Sequence, residues 1–475
     1  MIFQTIECVP SSGKTKAILN HINQTGEKAI IASISMMLSK QSYDYYTNEV
    51  KGKSAVIVDT DHRTKRTNND ALKEVVEQYD VIFITHAALK NIDDFELYKD
   101  YSLYIDEVPD LVSFESLRFN SNINHIHDIC LPFSCNENDI VDLVLDEEKR
   151  DLVTRLAYDG LRKRDDIAMK MFPLYRALLG SIPVKMQYSA TGYVCYFVED
   201  HDVSQWKFKN VTIASSNIKG TITGKILNTF HDVEFEDSPL QTLVDFKQYK
   251  NTDRITIHVL SDGDYSRYTG DLSQSGTTVY TQIKKRVEEL LGGEQFIYCT
   301  NTYRSKFSEG QEIPYNSHGL NFYSSYTNVV ALFSYNPLPW LRQMLRAVAV
   351  SSGLEEDELV HSYVVSKYYE PAFQLCARSD IRHNNSRKKI NLFVPDLRLA
   401  NYMKEKYFPD AKIESQEAIT TKRKRQSFQT DYTMDLKEKR AFAKFKERNN
   451  LEYSNPEHHI IVKDWLNKYR EKKAT

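Results

Sequence analysis

Residues Pro10-Ser11-Ser12-Gly13-Lys14-Thr15 have the types and order of a phosphate-binding loop. The backbone N–H groups of such a loop and of the helix after it point at anionic oxygens. A lysine adds a mobile positive charge at the β and γ phosphates, and a threonine hydroxyl can sit on Mg²⁺. Lys14 and Thr15 fill those two places, so ATP and Mg²⁺ are the expected cofactors. The match to the full pattern is partial, because Cys8 stands where its first glycine belongs. In isolation the same residues could simply open a helix. An NTPase also needs one carboxylate to hold the metal and another to orient the attacking water. Asp106 and Glu107, 92 residues beyond Lys14, end an apolar run and supply that pair in Asp106-Glu107-Val108-Pro109.

The elements that must position these groups follow from periodicity. Residues 2–9 form an apolar stretch suited to a strand, and Ala17, Ile18, Leu19 and Ile22 follow the loop at helical spacing. Strands are expected at 28–35, 55–58, 81–85 and 101–105, with a helix at 69–79. Strands without polar alternation are buried on both faces, which implies a parallel sheet covered by helices. Nucleotide then binds at the carboxyl ends of the strands. The fold class is α/β.

These residues resemble the superfamily 2 helicases and DNA translocases, which have two RecA-like domains. The segment from Pro10 to Thr15 is similar to their motif I, and Asp106-Glu107-Val108-Pro109 to motif II. Ser33-Ile34-Ser35 with Leu38 and Gln41 is similar to motif Ia, and Ile84-Thr85-His86-Ala87-Ala88-Leu89 to motif Ib. The resemblance implies strand contacts for Ser33, Gln41, Thr85 and His86. Gln374, Arg378 and Arg382 resemble motif VI, whose arginines reach across the domain cleft to the γ-phosphate. The final arginine falls one residue late, which leaves open whether Arg378 or Arg382 is the finger. Ser317-His318-Gly319-Leu320-Asn321 is similar to motif V, which places Gly319 and Asn321 at the nucleotide and His318 at nucleic acid. For motif III, Ser189-Ala190-Thr191 has the usual letters, but Ile213-Ala214-Ser215-Ser216-Asn217 has the better setting at a strand end.

The chain has 475 residues and reads as a RecA-like domain over 1–225 with an insertion near 111–205. The insertion is expected to be largely helical over 139–179, with a hairpin around 188–197. A second RecA-like domain with motifs IV, V and VI is expected over 235–413, its first residues forming the connection. A small basic helical extension is expected over 420–475. That last segment carries fifteen Lys and Arg against eight Asp and Glu, although the whole chain has a net charge of −3. Lys422, Arg423, Lys424 and Arg425 are therefore candidate phosphate contacts, with Trp465 and Tyr469 nearby to stack a base. The six cysteines form no CxxC pair, so neither a zinc knuckle nor a disulfide framework is indicated.

No apolar run reaches the length of a membrane span, and the amino end lacks a secretory pattern, so the expected location is cytoplasmic. The abundance of Lys, Asn, Ile and Tyr hints at an AT-rich coding genome such as a phage's, which would make this the host cytoplasm. Only nine residues precede Pro10, too few for the glutamine motif of DEAD-box RNA helicases, and Pro109 replaces the last letter of their motif II. A DNA-directed ATPase is the expectation: a helicase or translocase on single-stranded or forked DNA in replication or recombination. A replication-protein partner would be reached through the extension. The alternative is a DNA-stimulated ATPase that binds origins or remodels without processive unwinding. A packaging ATPase would need a nuclease domain with clustered carboxylates, and a non-catalytic binding protein would not need Lys14, Thr15, Asp106 and Glu107 together.

Overall fold

The computed structural model describes residues 1–52, 54–58, 68–119, 123–136, 139–162, 165–189, 192–274, 276–317, 319, 322–415, 418–421, 436–449, 451 and 456–474. They form two compact units, Met1–Thr420 and Thr421–Thr475.

The first unit opens with β1 (Ile2–Glu7), β2 (Ala29–Ser33), β3 (Ala55–Ile57), β4 (Val81–Thr85) and β5 (Ser102–Asp106). An excursion follows: β6 (Val112–Phe119), β7 (Ile140–Leu143), β8 (Val184–Ser189) and β9 (Gly192–Asp200). The chain then returns as β10 (Asn210–Ser215) and β11 (Glu234–Asp237). Among the described residues the first sheet is parallel throughout, in the order β11-β1-β10-β5-β2-β4-β3. Its central strands are buried along their whole length, as their unbroken apolar runs require. Helix α1 (Lys14–Thr25) buries Ala17, Ile18, Leu19 and Ile22 and stops at Gly26, which takes a left-handed conformation. Helix α2 (Met36–Asn48) follows β2 and is capped by the Ser35 hydroxyl.

The first sheet runs past residue 225, where the sequence places the domain's end. In β11 Phe235 is the sole apolar side chain, so the strand gives no hydrophobic signal and is held by backbone pairing to β1. The excursion forms an antiparallel sheet in the order β6-β9-β8-β7, with helices Arg150–Leu161 and Asp166–Leu179 over it. It has its own core around Val153, Leu174, Met186 and Cys195. The helix pair and the β8–β9 hairpin match the sequence expectation. β6 was not expected, because its partly exposed pattern lacks a clean period of two.

The second sheet is built from β12 (Ile255–Val259), β15 (Ile297–Thr300), β16 (Gln311–Glu312), β17 (Asn328–Leu332), β18 (Ile390–Val394) and β19 (Lys412–Glu414). A two-stranded antiparallel pair, β13 (Ser273–Gln274) and β14 (Thr277–Thr278), stands apart from it. The main order is β16-β15-β17-β18-β12-β19, again parallel. The first unit thus has the α/β class and the two RecA-like domains that the sequence implies.

Helices Pro339–Ser351 and Glu358–Val364 follow β17 but pack against the first domain. Leu341, Met344 and Leu345 share a core with Ile222 and Val112. Trp340 stacks on Tyr196 of β9 at 5.4 Å, and Tyr363 meets Phe114 of β6 edge-on at 5.7 Å. The helical run continues through a π-helical turn, Val365–Tyr369, into the helix Glu370–Cys376. Pro371 has no N–H for the Lys367 carbonyl one turn back, and the Tyr315 hydroxyl takes that carbonyl at 2.5 Å.

The second unit holds helices Leu436–Arg448 and Pro456–Ala474. Trp465 stacks between Phe445 at 4.8 Å and Tyr469 at 5.2 Å, and Arg470 pairs with Glu438 at 2.7 Å. Of the rings that the sequence offered for base stacking, Trp465 thus makes a contact between these helices, on Phe442 and Phe445. No described helix is long and apolar enough to cross a membrane.

Candidate active site

Register brings the two acidic and phosphate motifs together. Across adjacent strands Ile6 pairs with Ala214 and Ala214 with Asp106, so the loop after β1 opens beside the end of β5. Ser11 and Gly13 have φ of 63° and 82°, and a Cβ on Gly13 would lie 2.7 Å from Asp245 Oδ2. A glycine is therefore required there by conformation and by space. Cys8 packs into the core with Ile18 and Leu19 while its N–H donates to the Ser215 carbonyl at 3.0 Å. Burial pushes its thiol up, so Cys8 extends β1 without disturbing the loop.

Lys14 is 6% exposed, and its Nζ donates to the carbonyls of Cys8 at 3.0 Å and Val9 at 3.2 Å. The Thr15 hydroxyl donates to Asp106 Oδ2 at 3.1 Å. Glu107 has a φ of 71°, unusual for a non-glycine residue, and its N–H donates to the Ala214 carbonyl at 2.8 Å.

The second domain faces this loop with Gln374, Arg378 and Arg382. Gln374 Nε2 lies 3.5 Å from Glu107 Oε2, and its Oε1 accepts from Arg378 Nη2 at 2.8 Å. Arg382 donates to the Ser11 hydroxyl from Nε at 2.9 Å and from Nη2 at 2.6 Å. Arg378 and Arg382 both line, with Pro10, Ser11, Ser12, Gly13, Lys14, Thr15, Asp106, Glu107 and Gly319, a cavity of about 410 Å³. Burial pulls both guanidinium groups below their ordinary value; at Arg378 the nearby Glu107 opposes it. The linker runs along the loop: Asp245 N–H donates to Ser12 O at 2.9 Å and Tyr249 Oη to Pro10 O at 3.0 Å.

These groups fit a nucleoside triphosphate with Mg²⁺. The Ser12 hydroxyl is fully buried in the loop with no hydrogen-bond partner among the described residues. Thr15 and Asp106 already meet where a metal would sit. A bound Mg²⁺ would be held by the Thr15 hydroxyl and Asp106 together with oxygens of the nucleotide.

Among the described residues, the expected nucleic-acid contacts do not come together on one exposed surface. Ser33 is fully buried at the end of β2, and His86 is 6% exposed. The Thr85 hydroxyl caps the short helix His86–Lys90 by accepting from Ala88 N–H at 3.2 Å. Gln41, on α2, lines the phosphate cavity. His318, Asn321, Lys422, Arg423, Lys424 and Arg425 lie outside the described residues. For motif III, Ser215, Ser216 and Asn217 stand at the carboxyl end of β10 beside Asp106, whereas Ser189 closes β8 in the insertion.

Sequence reasoning missed a groove of about 740 Å³ where the loops after β12, β15 and β17 face β6. Tyr268, Tyr303, Tyr335 and Trp340 line it, with Phe114, and Tyr268 is 66% exposed. The Arg267 guanidinium lies 4.7 Å from the Tyr303 ring centre. Each of these rings is unremarkable in its own segment, and only the strand ends of the second sheet gather them.

No family model matches the chain, and no curated protein matches it. Among solved structures it is similar to Xpd4 of S. tokodaii, at 10% identity over 87% of this chain and 96% of that one, with a TM-score of 0.48. An apo XPD gives 13% identity, 87% and 97% coverage, and a TM-score of 0.44. UvsW of T4 gives 9% identity, 88% and 74% coverage, and a TM-score of 0.22. At such identities and scores, what the cleft can do has to follow from its own residues.

Proposed function

We propose that the chain hydrolyses ATP between its two α/β domains and uses the associated closing and opening to move on, or remodel, single-stranded or forked DNA. One observation carries this reading: Arg378 and Arg382 of the second domain line the same cavity as Lys14, Thr15, Asp106 and Glu107 of the first. A nucleotide bound there touches both domains, so its hydrolysis must alter their closure.

In this reading Lys14 and the loop N–H groups hold the phosphates, while Thr15 and Asp106 hold the metal. When bound, Mg²⁺ would supply charge neutralisation at the phosphates. Glu107 orients and deprotonates the attacking water, with Gln374 fixing its carboxylate. One of Arg378 and Arg382 neutralises the charge that develops on the transferred phosphoryl group. For the nucleic acid, the groove of Tyr268, Tyr303, Tyr335 and Trp340 offers ring faces on which bases can stack regardless of sequence. A place in replication or recombination, and a partner for the 421–475 unit, belong to the same proposal.

The test is steady-state ATP hydrolysis without nucleic acid, with single-stranded DNA and with RNA, using Lys14→Ala as the blank. Stimulation by DNA is the expected result. Equal rates in all three would remove the nucleic-acid part and leave an ATPase with another partner.

A further inference from the structure

The helix that carries Gln374 also carries a buried acid that the proposed chemistry leaves without a role. Glu370 lies one turn before Gln374, on the same side of the helix, and is 8% exposed. Its carboxylate accepts hydrogen bonds from the hydroxyls of Tyr402 and Tyr407 in the second domain and from Ser216 in the first. The neighbouring Asn217 donates from Nδ2 to Tyr402 Oη at 2.9 Å and accepts from Lys406 Nζ at 2.7 Å. Ser216 and Asn217 directly follow β10, the strand whose Ala214 carbonyl accepts from the Glu107 N–H. Glu370, Gln374, Ser216 and Glu107 all border one cavity of about 250 Å³ between the domains.

A carboxylate buried among apolar side chains is costly unless donors surround it. Two of its three hydroxyl donors belong to its own domain and remain whatever the cleft does. The third, Ser216, is present only when the domains are together. Burial pushes the Glu370 carboxyl up, and Ser216, Tyr402, Tyr407 and the Lys406 ammonium act against that. The network therefore favours the arrangement in which the helix is docked on the loop after β10. In that arrangement Gln374 stands at Glu107.

We infer that Glu370 is a positioning residue for hydrolysis: by accepting from Ser216 across the cleft it fixes the Glu370–Cys376 helix so that Gln374 meets Glu107. It touches neither phosphate nor water. This rests on the reading of the cleft as an ATPase site.

The experiment compares wild type, Glu370→Gln, Ser216→Ala, Gln374→Ala and the Glu370→Gln/Gln374→Ala pair in DNA-stimulated ATP hydrolysis. Binding of a fluorescent ATP analogue and the thermal midpoint are measured on the same samples. Each single variant is expected to lose about tenfold or more in kcat while KM and analogue affinity stay within about twofold. The pair is expected to fall no further than its weaker member, because both substitutions break one connection. Ser216→Ala removes a single hydroxyl from a loop, so it keeps the test valid if Glu370→Gln unfolds. Losses that multiply in the pair would overturn the inference, as would an unchanged kcat in Ser216→Ala or a loss confined to KM. A wild-type protein without ATP hydrolysis would instead remove the reading of the cleft beneath it.

Discussion

Lys14 is a buried cation held by two backbone carbonyls, dipoles that leave its charge available to the cavity. Lys14→Ala should lower ATP hydrolysis by about 100-fold or more, with a folded circular-dichroism spectrum as the control. Glu107→Gln keeps the shape of the side chain and removes the proposed base, so it should bind nucleotide and stall on DNA; turnover at the wild-type rate would place the base elsewhere. The two arginines should separate kinetically. Arg378, held by Gln374 near Glu107, should on replacement by lysine lose kcat by roughly a thousandfold. Arg382, bonded to Ser11 of the loop, should mainly raise KM when replaced by lysine; the reverse pattern would exchange their roles. Pro10 to Thr15 and the pair Asp106-Glu107 could be singled out as candidates in the sequence because each is contiguous, and they line one cavity. Glu370 could not be, since its partners Ser216, Tyr402 and Tyr407 lie far from it in the chain. The burial of Ser33 and His86 was not legible either: a residue at a strand end can face the core as readily as solvent.

At the scale of elements, the root of the insertion joins two histidines of opposite behaviour. His201 follows β9, and burial lowers its pKa to about 4. His231 caps the helix Ile222–Phe230 and is raised by its hydrogen bond with Asp200 Oδ2 at 2.6 Å. Unfolded His201 binds a proton below its ordinary pKa of 6.5, so its stability term is complete above 6.5 and is lost as pH falls toward 4. The His231 term has the other sign: it is present below 6.5 and fades as pH rises through its folded value. Between pH 7 and 4.5, wild type should lose about 2 kcal/mol more unfolding free energy than His201→Phe, which keeps a ring beside Trp206. Parallel denaturation curves for the two proteins across that range would contradict it. The buried strands β2, β4 and β5 of the first sheet were legible because burial on both faces leaves unbroken apolar runs. β6 and β11 were not, since one is half exposed and the other has a single apolar residue.

For the whole molecule, the aromatic groove and the phosphate cavity are separate spaces on one compact unit, so substitutions can address them independently. Tyr268→Ala and Tyr303→Ala should leave ATP hydrolysis without nucleic acid unchanged. They should weaken half-maximal stimulation by single-stranded DNA by about fivefold or more each, as loss of one stacked base would. Equal stimulation in wild type and variants would move the strand elsewhere. The insertion also has a topological duty. β5 and β10 are adjacent and parallel, with Ser102 level with Asn210 and Asp106 level with Ala214. A chain leaving β5 must therefore travel back along the sheet before it can enter β10, over about 13 Å at a strand's rise per residue. Residues 107–209 are that return path, drawn out into a folded body. Cutting the body away cannot be a simple deletion: joining the two strand ends directly would leave them at opposite edges of the sheet. A shortened chain would need a bridge of at least about five residues to keep Asp106 beside the phosphate loop, and it would strip the cover from Trp340 as well.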